Sequence, residues 1–177
     1  MALVFLKWVG AGALFVGTAG FGFDFAKKYR KRPLELREIM TALRMLRADI
    51  AYHRLPLPES FFKISGYFSD QSGTHQLFAK TAELLTTSGT EAEDAFAVAL
   101  GQAGEFWSLS AEDVSALRQF SRTIGNTNAV LQESSINAIL AELADREKEA
   151  VTERDRFEKV YRTTGVLIGV LMVVMLW

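Results

Sequence analysis

The side chains in this 177-residue chain that are best suited to chemistry are two histidines, His53 and His75, and a large set of carboxylates. The histidines stand far apart in the sequence, which is poor evidence for a shared metal site. Cysteine is absent, so thiolate catalysis, disulfides and cysteine-ligated metals are excluded. The sequence has no phosphate-binding loop, serine-hydrolase elbow or H-E-x-x-H motif. We therefore predict no enzyme, no bound metal and no cofactor.

The charged residues point to partner binding instead. Residues 145–156 are mostly charged and fall on the lower half of the last predicted helix. We hypothesise that this segment docks a partner, together with the ends of the bundle; the candidate contacts are Arg32, Glu59, Arg146, Glu149 and Arg154. A solvated helix that only spaces the bundle from a bilayer is the alternative. The net charge of −1 gives no basic field for nucleic acid.

Both ends of the chain are apolar. Residues 2–23 carry only Lys7, and residues 163–177 carry no ionisable side chain. We predict a transmembrane helix at each end and a helical bundle over residues 24–162 between them. The second segment would rise only about 22 Å, against a hydrocarbon core of about 30 Å. A cleaved signal peptide is the rival for the first segment, and a short core helix is the rival for the second.

Basic residues flank the two apolar segments on the side of the central region. Residues 27–32 hold five lysines and arginines, and residues 154–162 hold four more. The positive-inside rule then predicts a two-pass protein. Its two apolar segments lie among membrane lipids, and its central region lies in the cytoplasm. Gly165 and Gly169 form a G-x-x-x-G pair that favours helix packing. This pair suggests self-association.

The middle of the chain is predicted to be all-α, with about six helices. The first has an apolar seam at spacings of three and four: Leu36, Ile39, Leu43, Leu46, Ile50 and His53. Later helices are predicted to begin near Glu59 and Thr74. The last and longest should run continuously into the apolar tail, with a seam of Ile136, Leu140, Leu143, Glu147, Ala150, Arg154, Phe157 and Tyr161.

Two helix starts carry a capping-box pattern, in which a hydroxyl side chain and an acidic side chain stand three residues apart. Ser110 with Asp113 is the clearer case, and Gly125 fits the C-terminal cap of the same helix. Thr90 with Glu93 predicts another such start.

Several short motifs resemble the stage III sporulation protein AB family. They are RP-x-x-x-R at 32–37, PLPE at 56–59, L-x-x-E-D at 109–113, IGNTNAVLQ at 124–132 and EKVYRTTGVLIG at 158–169. The resemblance covers essentially the whole chain in the same order. It implies a helical domain similar to that of the inner-membrane platform protein of type II secretion and type IV pili.

The resemblance also implies a function. The chain would be a scaffold in the channel between mother cell and forespore, in the mother-cell-derived outer forespore membrane. Its expected partners are a secretion-type cytoplasmic ATPase, other membrane and ring components of the channel, and further copies of itself. A membrane signal transducer, or a general membrane adaptor with a helical cytoplasmic domain, is the alternative function.

Overall fold

The computed structural model describes residues 29–53, 55–124 and 129–176, without the side chains of 129, 158, 159 and 161–176. The chain divides into two compact units. One unit contains, of the described residues, 29–31 and 152–176. The other is Arg32–Val151 and holds the hydrophobic core.

All regular secondary structure in the described residues is helical, and none of them forms a strand. This confirms the all-α prediction and the count of six helices for this part of the chain. The elements are α1 (29–48), a π-turn (Asp49–His53), α2 (Leu57–Ser65), α3 (Gly73–Thr87), α4 (Ala92–Ala103), a 3₁₀ turn (Gly104–Phe106), α5 (Ala111–Ile124) and α6 (Ala129–Leu176).

The predicted membrane segments fall largely outside what the structure describes. Residues 2–23 lie outside it, and so do the side chains of 163–177. Within the described part, no helix has the length and apolar character that crossing a membrane requires. The backbone of α6 does remain helical from Ala129 to Leu176, as predicted for a last helix that continues into the apolar tail.

Four phenylalanines form the centre of the core. Phe61 of α2 lies with its ring centroid 5.3 Å from that of Phe78 in α3 and 6.2 Å from that of Phe96 in α4. Phe96 also meets Phe120 of α5 edge to face at 5.9 Å. Tilted and edge-on contacts of this kind contribute about 0.5–1.5 kcal/mol beyond area burial. Consecutive helices α2 to α5 therefore pack against their neighbours through one aromatic cluster.

The predicted seam of α1 is confirmed in its regular part and ends at the π-turn. Leu36, Ile39, Leu43 and Leu46 are fully buried. Beyond residue 48 the wider i→i+5 turn changes the rotational phase of the helix. Asp49 is still buried at the start of this turn, whereas the His53 side chain at its end is 59% exposed. The prediction that His53 continues the buried seam was wrong, because it assumed an unbroken α-helical period.

The two predicted capping boxes had opposite outcomes. The backbone N–H of Ser110 donates to Asp113 Oδ2 at 2.9 Å, and the backbone N–H of Asp113 donates to Ser110 Oγ at 3.2 Å. This box is confirmed. The box of Thr90 and Glu93 is wrong: α4 begins at Ala92 after Glu91, which makes no side-chain cap. The predicted cap Gly125 lies outside the described residues.

Helix α1 also fixes the starts of other helices through polar side chains. Glu38 accepts from Ser72 Oγ at 2.5 Å, and Ser72 in turn caps α3 by accepting from the Thr74 N–H. Glu35 accepts from the backbone N–H of Ser108 at 2.6 Å, two residues before the capping residue of α5. One face of α1 therefore sets where α3 and α5 begin.

Helices α1 and α6 pack antiparallel. Arg37 reaches Glu147 at 2.6 Å, and Arg47 Nη1 donates to Asn137 Oδ1 at 2.5 Å. Ten residues forward along α1, from Arg37 to Arg47, correspond to ten residues backward along α6, from Glu147 to Asn137. The two helices therefore run in opposite directions. The buried residues Ile136, Leu143 and Ala150 confirm the predicted seam of α6 over this stretch.

We predict that Gly73→Ala destabilises the bundle. A Cβ atom at Gly73 would lie 1.7 Å from Trp107 Nε1, so the indole ring or the start of α3 must move. Overpacking of this kind costs about 1–3 kcal/mol. Chemical denaturation of the full chain, followed by helical circular dichroism, would measure the loss.

Gly101→Ala is the matched control for that prediction. Gly101 lies in α4, and a Cβ there has open space around it. Alanine in a helix interior is favoured over glycine by about 0.5–1 kcal/mol, so this variant should be slightly more stable than the parent. Equal stability of the two variants would contradict the tight contact between Gly73 and Trp107.

Candidate partner interface

The outer face of α2 is the most exposed aromatic surface among the described residues. Because α2 buries Phe61 and Ile64, its helical period turns Phe62 and Lys63 outward. Phe62 is 73% exposed, and Tyr67, just beyond the helix, is 65% exposed. The adjacent π-turn presents Tyr52, which is 83% exposed. We call these residues together with Glu59 the α2 surface.

A buried carboxylate ties the π-turn to α2. Asp49 accepts from Lys63 Nζ at 2.9 Å, and His53 Nδ1 lies 3.1 Å from the same Oδ1 atom. The hydrogen bond to Asp49 raises the pKa of Lys63, against a smaller opposing effect of desolvation. The negative charges of Asp49 and Glu59 and the phenol of Tyr67 raise it further. Glu59 and Tyr67 thus lie within electrostatic reach of Lys63, and the bond from Lys63 to Asp49 joins α2 to the π-turn.

Aromatic side chains on a positioned surface are suited to protein recognition. Tyrosine and phenylalanine are enriched in the cores of interfaces, where they bury a large area at a low entropic cost. Three exposed aromatic side chains present apolar area to water, and the free energy falls when a partner covers them. Glu59 and Lys63 add one charge of each sign, which can set the orientation of that partner.

Arg32, another predicted contact, has an internal partner. Its guanidinium forms two hydrogen bonds with Asp113, Nε to Oδ2 at 2.7 Å and Nη2 to Oδ1 at 3.0 Å. Nη2 also lies 3.4 Å from Ser110 Oγ. The Asp113 side chain is fully buried and that of Arg32 is 11% exposed. In this structure Arg32 joins α1 to the start of α5.

Arg146 from α6 approaches the same carboxylate. Its Nη1 lies 3.8 Å from Asp113 Oδ1, and its Nη2 donates to Glu142 at 2.8 Å. Burial by itself would raise the pKa of Asp113. The hydrogen bonds from Arg32 and the Ser110 N–H, together with the positive charge of Arg32, outweigh burial and hold that pKa below its usual value.

The remaining predicted contacts are placed as follows. Glu149 is exposed on α6, and Arg154 donates to its neighbour Asp155 at 2.8 Å. Gly165 and Gly169 lie on α6 where side chains are outside the described part. The charged segment 145–156 is two-sided, because Ala150 is buried while Glu149 faces solvent. The predicted contacts do not form a single cluster.

A shallow groove lies between α5 and α6. Its volume is about 170 Å³, and Phe120 and Ile139 form its apolar floor. The other lining residues are small or polar: Ala116, Gln119, Thr123, Ser135, Ala138 and Glu142. Over the described residues, no group of histidine and carboxylate side chains is placed to hold a metal ion. The groove lacks a cluster of titratable groups that would do chemistry.

Comparison with known proteins identifies the family. The family model described as stage III sporulation protein AB matches residues 7–177. The chain belongs to this family. A curated relative, stage III sporulation protein AB of Bacillus subtilis (strain 168), is 29% identical over 171 residues, which is 97% of this chain and 99% of the relative. A solved structure of a stage III sporulation protein AB matches with a TM-score of 0.67 and 25% identity, over 71% of this chain and 98% of that chain.

The motifs that indicated the stage III sporulation protein AB family have distinct places in the fold. The two arginines of RP-x-x-x-R pair with α5 and α6: Arg32 with Asp113 and Arg37 with Glu147. The acidic end of L-x-x-E-D is Asp113 itself. PLPE begins α2, and its Glu59 is exposed on the α2 surface. Arg32, Arg37 and Asp113 therefore join helices, whereas Glu59 is exposed.

Sequence reasoning missed the aromatic part of the α2 surface. Phe61 and Phe62 are adjacent in sequence, and composition does not distinguish the buried ring from the exposed one. The π-turn that projects Tyr52 has no sequence signature comparable to a capping box. The available signal was that Phe62 falls outside the stripe Phe61, Ile64 and Phe68.

We predict that Asp113→Asn destabilises the bundle by about 3 kcal/mol at neutral pH, since it removes the negative charge that Arg32 contacts in a buried site. The folded pKa of Asp113 lies below its unfolded value of about 3.9. The pair therefore stabilises the fold above that value and loses its contribution as pH falls through the folded pKa. Urea unfolding of parent and variant at several pH values should show a difference that shrinks in acid.

Asp145→Asn provides the control for Asp113→Asn. Asp145 pairs with Lys148 at 2.8 Å, but both side chains are about three-quarters exposed. Exposed pairs contribute 0.2–1 kcal/mol at most in typical measurements, so this variant should unfold close to the parent, on the order of 0.5 kcal/mol away. A loss for Asp113→Asn no larger than this would show that the buried pair does not hold α1 to α5.

Proposed function

We propose that this chain is a non-enzymatic platform of the sporulation channel between mother cell and forespore, coupling a cytoplasmic secretion-type ATPase to the trans-envelope assembly. Family membership supports the sporulation setting. The observation that carries the proposal is the α2 surface, which exposes Phe62 and Tyr67 at α2 and Tyr52 in the π-turn.

In this proposal the chain lies in the mother-cell-derived outer forespore membrane. Residues 2–23 and 163–177 are its two membrane segments, and residues 24–162 face the cytoplasm. The basic flanks of both apolar segments support that orientation through the positive-inside rule. The α2 surface then faces the compartment that contains the ATPase.

The α2 surface is a better candidate for docking the ATPase than Arg32 or Arg146. Those two arginines already bond Asp113 and Glu142, so a partner would have to break internal contacts to bind them. Phe62 and Tyr67 offer apolar area that is open to solvent. Glu149, on the exposed face of segment 145–156, remains a second docking candidate.

Copies of the chain are proposed to associate through Gly165 and Gly169, whose spacing allows close helix approach. Other channel components, including ring proteins, would contact the same membrane assembly. Gly165→Leu with Gly169→Leu should reduce the oligomer seen in gentle detergent. A strict monomer in the parent protein would remove this part of the proposal.

We predict that Phe62→Ser with Tyr67→Ser weakens co-purification of the ATPase from membranes of sporulating cells by at least about tenfold. Buried aromatic anchors at interfaces typically contribute 2 kcal/mol or more each, which sets this scale. Both side chains are exposed in the free chain, so the fold should be retained. Quantitative immunoblotting of the eluate, at matched membrane levels of the bait, gives the ratio.

Phe106→Ser is the matched control, because Phe106 is also an exposed phenylalanine but lies in the turn after α4. It should leave ATPase recovery unchanged. Glu149→Lys tests the second docking candidate in the same assay. If the α2 variant recovers as much ATPase as the control while Glu149→Lys does not, docking belongs to segment 145–156. If no ATPase is recovered with the parent chain, the platform role itself is overturned.

A further inference from the structure

Two basic segments that are far apart in the sequence meet at one place in the fold. The rings of Tyr29 in α1 and Phe157 in α6 are stacked, with centroids 4.1 Å apart and planes at 28°. Residues 27–31 hold four basic side chains and no acidic one, and residues 156–162 hold three basic and one acidic. The stack therefore joins the two helices where Arg30 and Lys31 of one run and Arg156 of the other stand beside the stacked rings in sequence.

Three cations of this region are described, and all three are exposed: Arg30, Lys31 and Arg156. None of them forms an ion pair with a described residue. Arg32, Arg37 and Arg146, by contrast, each form an ion pair with an acidic side chain. Like charges that are placed together without counter-charges repel one another, and an anionic ligand relieves this repulsion.

The surroundings identify the anion as a lipid headgroup. Residues 163–177, which follow Phe157 by little more than one helical turn, carry no ionisable side chain. Cations beside aromatic rings, next to an apolar segment, match the phosphate level of a bilayer, where Lys and Arg attract anionic lipids. An arginine guanidinium also donates two parallel hydrogen bonds to a phosphate.

We propose that Arg30, Lys31 and Arg156, gathered around the stacked Tyr29 and Phe157, form a binding surface for anionic phospholipid headgroups. This inference rests on the membrane location in the proposed function. It goes beyond orientation, since the positive-inside rule requires basic residues on one side but no preference for a lipid. The surface distinguishes phosphatidylglycerol from phosphatidylcholine by the net negative charge of the former.

The test uses the full chain in a neutral detergent with added phosphatidylglycerol, phosphatidylcholine or inorganic phosphate. Bound lipid is counted by native mass spectrometry after a titration. Phosphatidylglycerol should bind at least about fivefold more tightly than phosphatidylcholine, and inorganic phosphate should not compete at matched concentration. This preference should weaken in 1 M salt, where the screening length falls to about 3 Å.

The decisive variant removes three positive charges: Arg30→Gln, Lys31→Gln and Arg156→Gln together. Each basic residue near an anionic surface contributes about a fivefold change in affinity, so the preference for phosphatidylglycerol should be lost. The matched variant, Arg44→Gln, Arg118→Gln and Arg122→Gln, removes the same charge from exposed positions on α1 and α5. It should bind like the parent, and helical circular dichroism confirms that both variants are folded.

The possible outcomes separate this inference from the platform proposal. The proposed headgroup surface is overturned if the parent binds the two lipids equally. It is also overturned if both triple variants lose the preference for phosphatidylglycerol to the same extent. Competition by inorganic phosphate would show a generic anion effect and also overturns it. Recovery of the ATPase with the parent is measured independently, so lipid preference without ATPase recovery would reject only the platform role. If the chain does not sediment with membranes at all, the membrane location fails, and both proposals fall with it.

Discussion

The buried carboxylate of Asp113 is the interaction on which the rest of the bundle depends. It accepts from the N–H of Ser110 at the start of α5, receives both arms of Arg32 from α1, and lies near Arg146 of α6. Side chains and backbone from three helices converge on one charge. A carboxylate placed there without these donors would cost several kcal/mol through desolvation. The packed positions of α1 and α6 therefore have to bring Arg32 and Arg146 to the Asp113 carboxylate.

Local parts of this arrangement could be predicted from the sequence, and long-range parts could not. The capping box of Ser110 and Asp113 lies within four residues, and its pattern is specific enough to read. The pair of Arg32 and Asp113 spans 81 residues, and no spacing rule reports it. The weaker pattern at Thr90 and Glu93 failed because the helix begins one residue later, with Glu91 before it. Helix identity was thus well predicted, whereas tertiary polar contacts were not.

The candidate site shows the same limit in another form. Arg32 and Arg146 were chosen as partner contacts because charge on a helical surface suggests docking. The fold uses both internally, and that was invisible without the antiparallel pairing of α1 and α6. The π-turn at Asp49–His53 also went unpredicted, and it turned His53 out of the buried seam. The α2 surface is marked instead by three exposed aromatic side chains, Tyr52, Phe62 and Tyr67.

The antiparallel pairing of the first and last helices also has a consequence for synthesis on the ribosome. Helices α2 to α5 pack on their sequence neighbours, so they can associate as they emerge. The contacts between α1 and α6 form last, because Arg37 meets Glu147 across 110 residues. At about 5–20 residues per second the delay is on the order of ten seconds. During that time the face of α1 that meets α6 stays uncovered, so the nascent chain keeps this side of α1 exposed until translation is nearly complete.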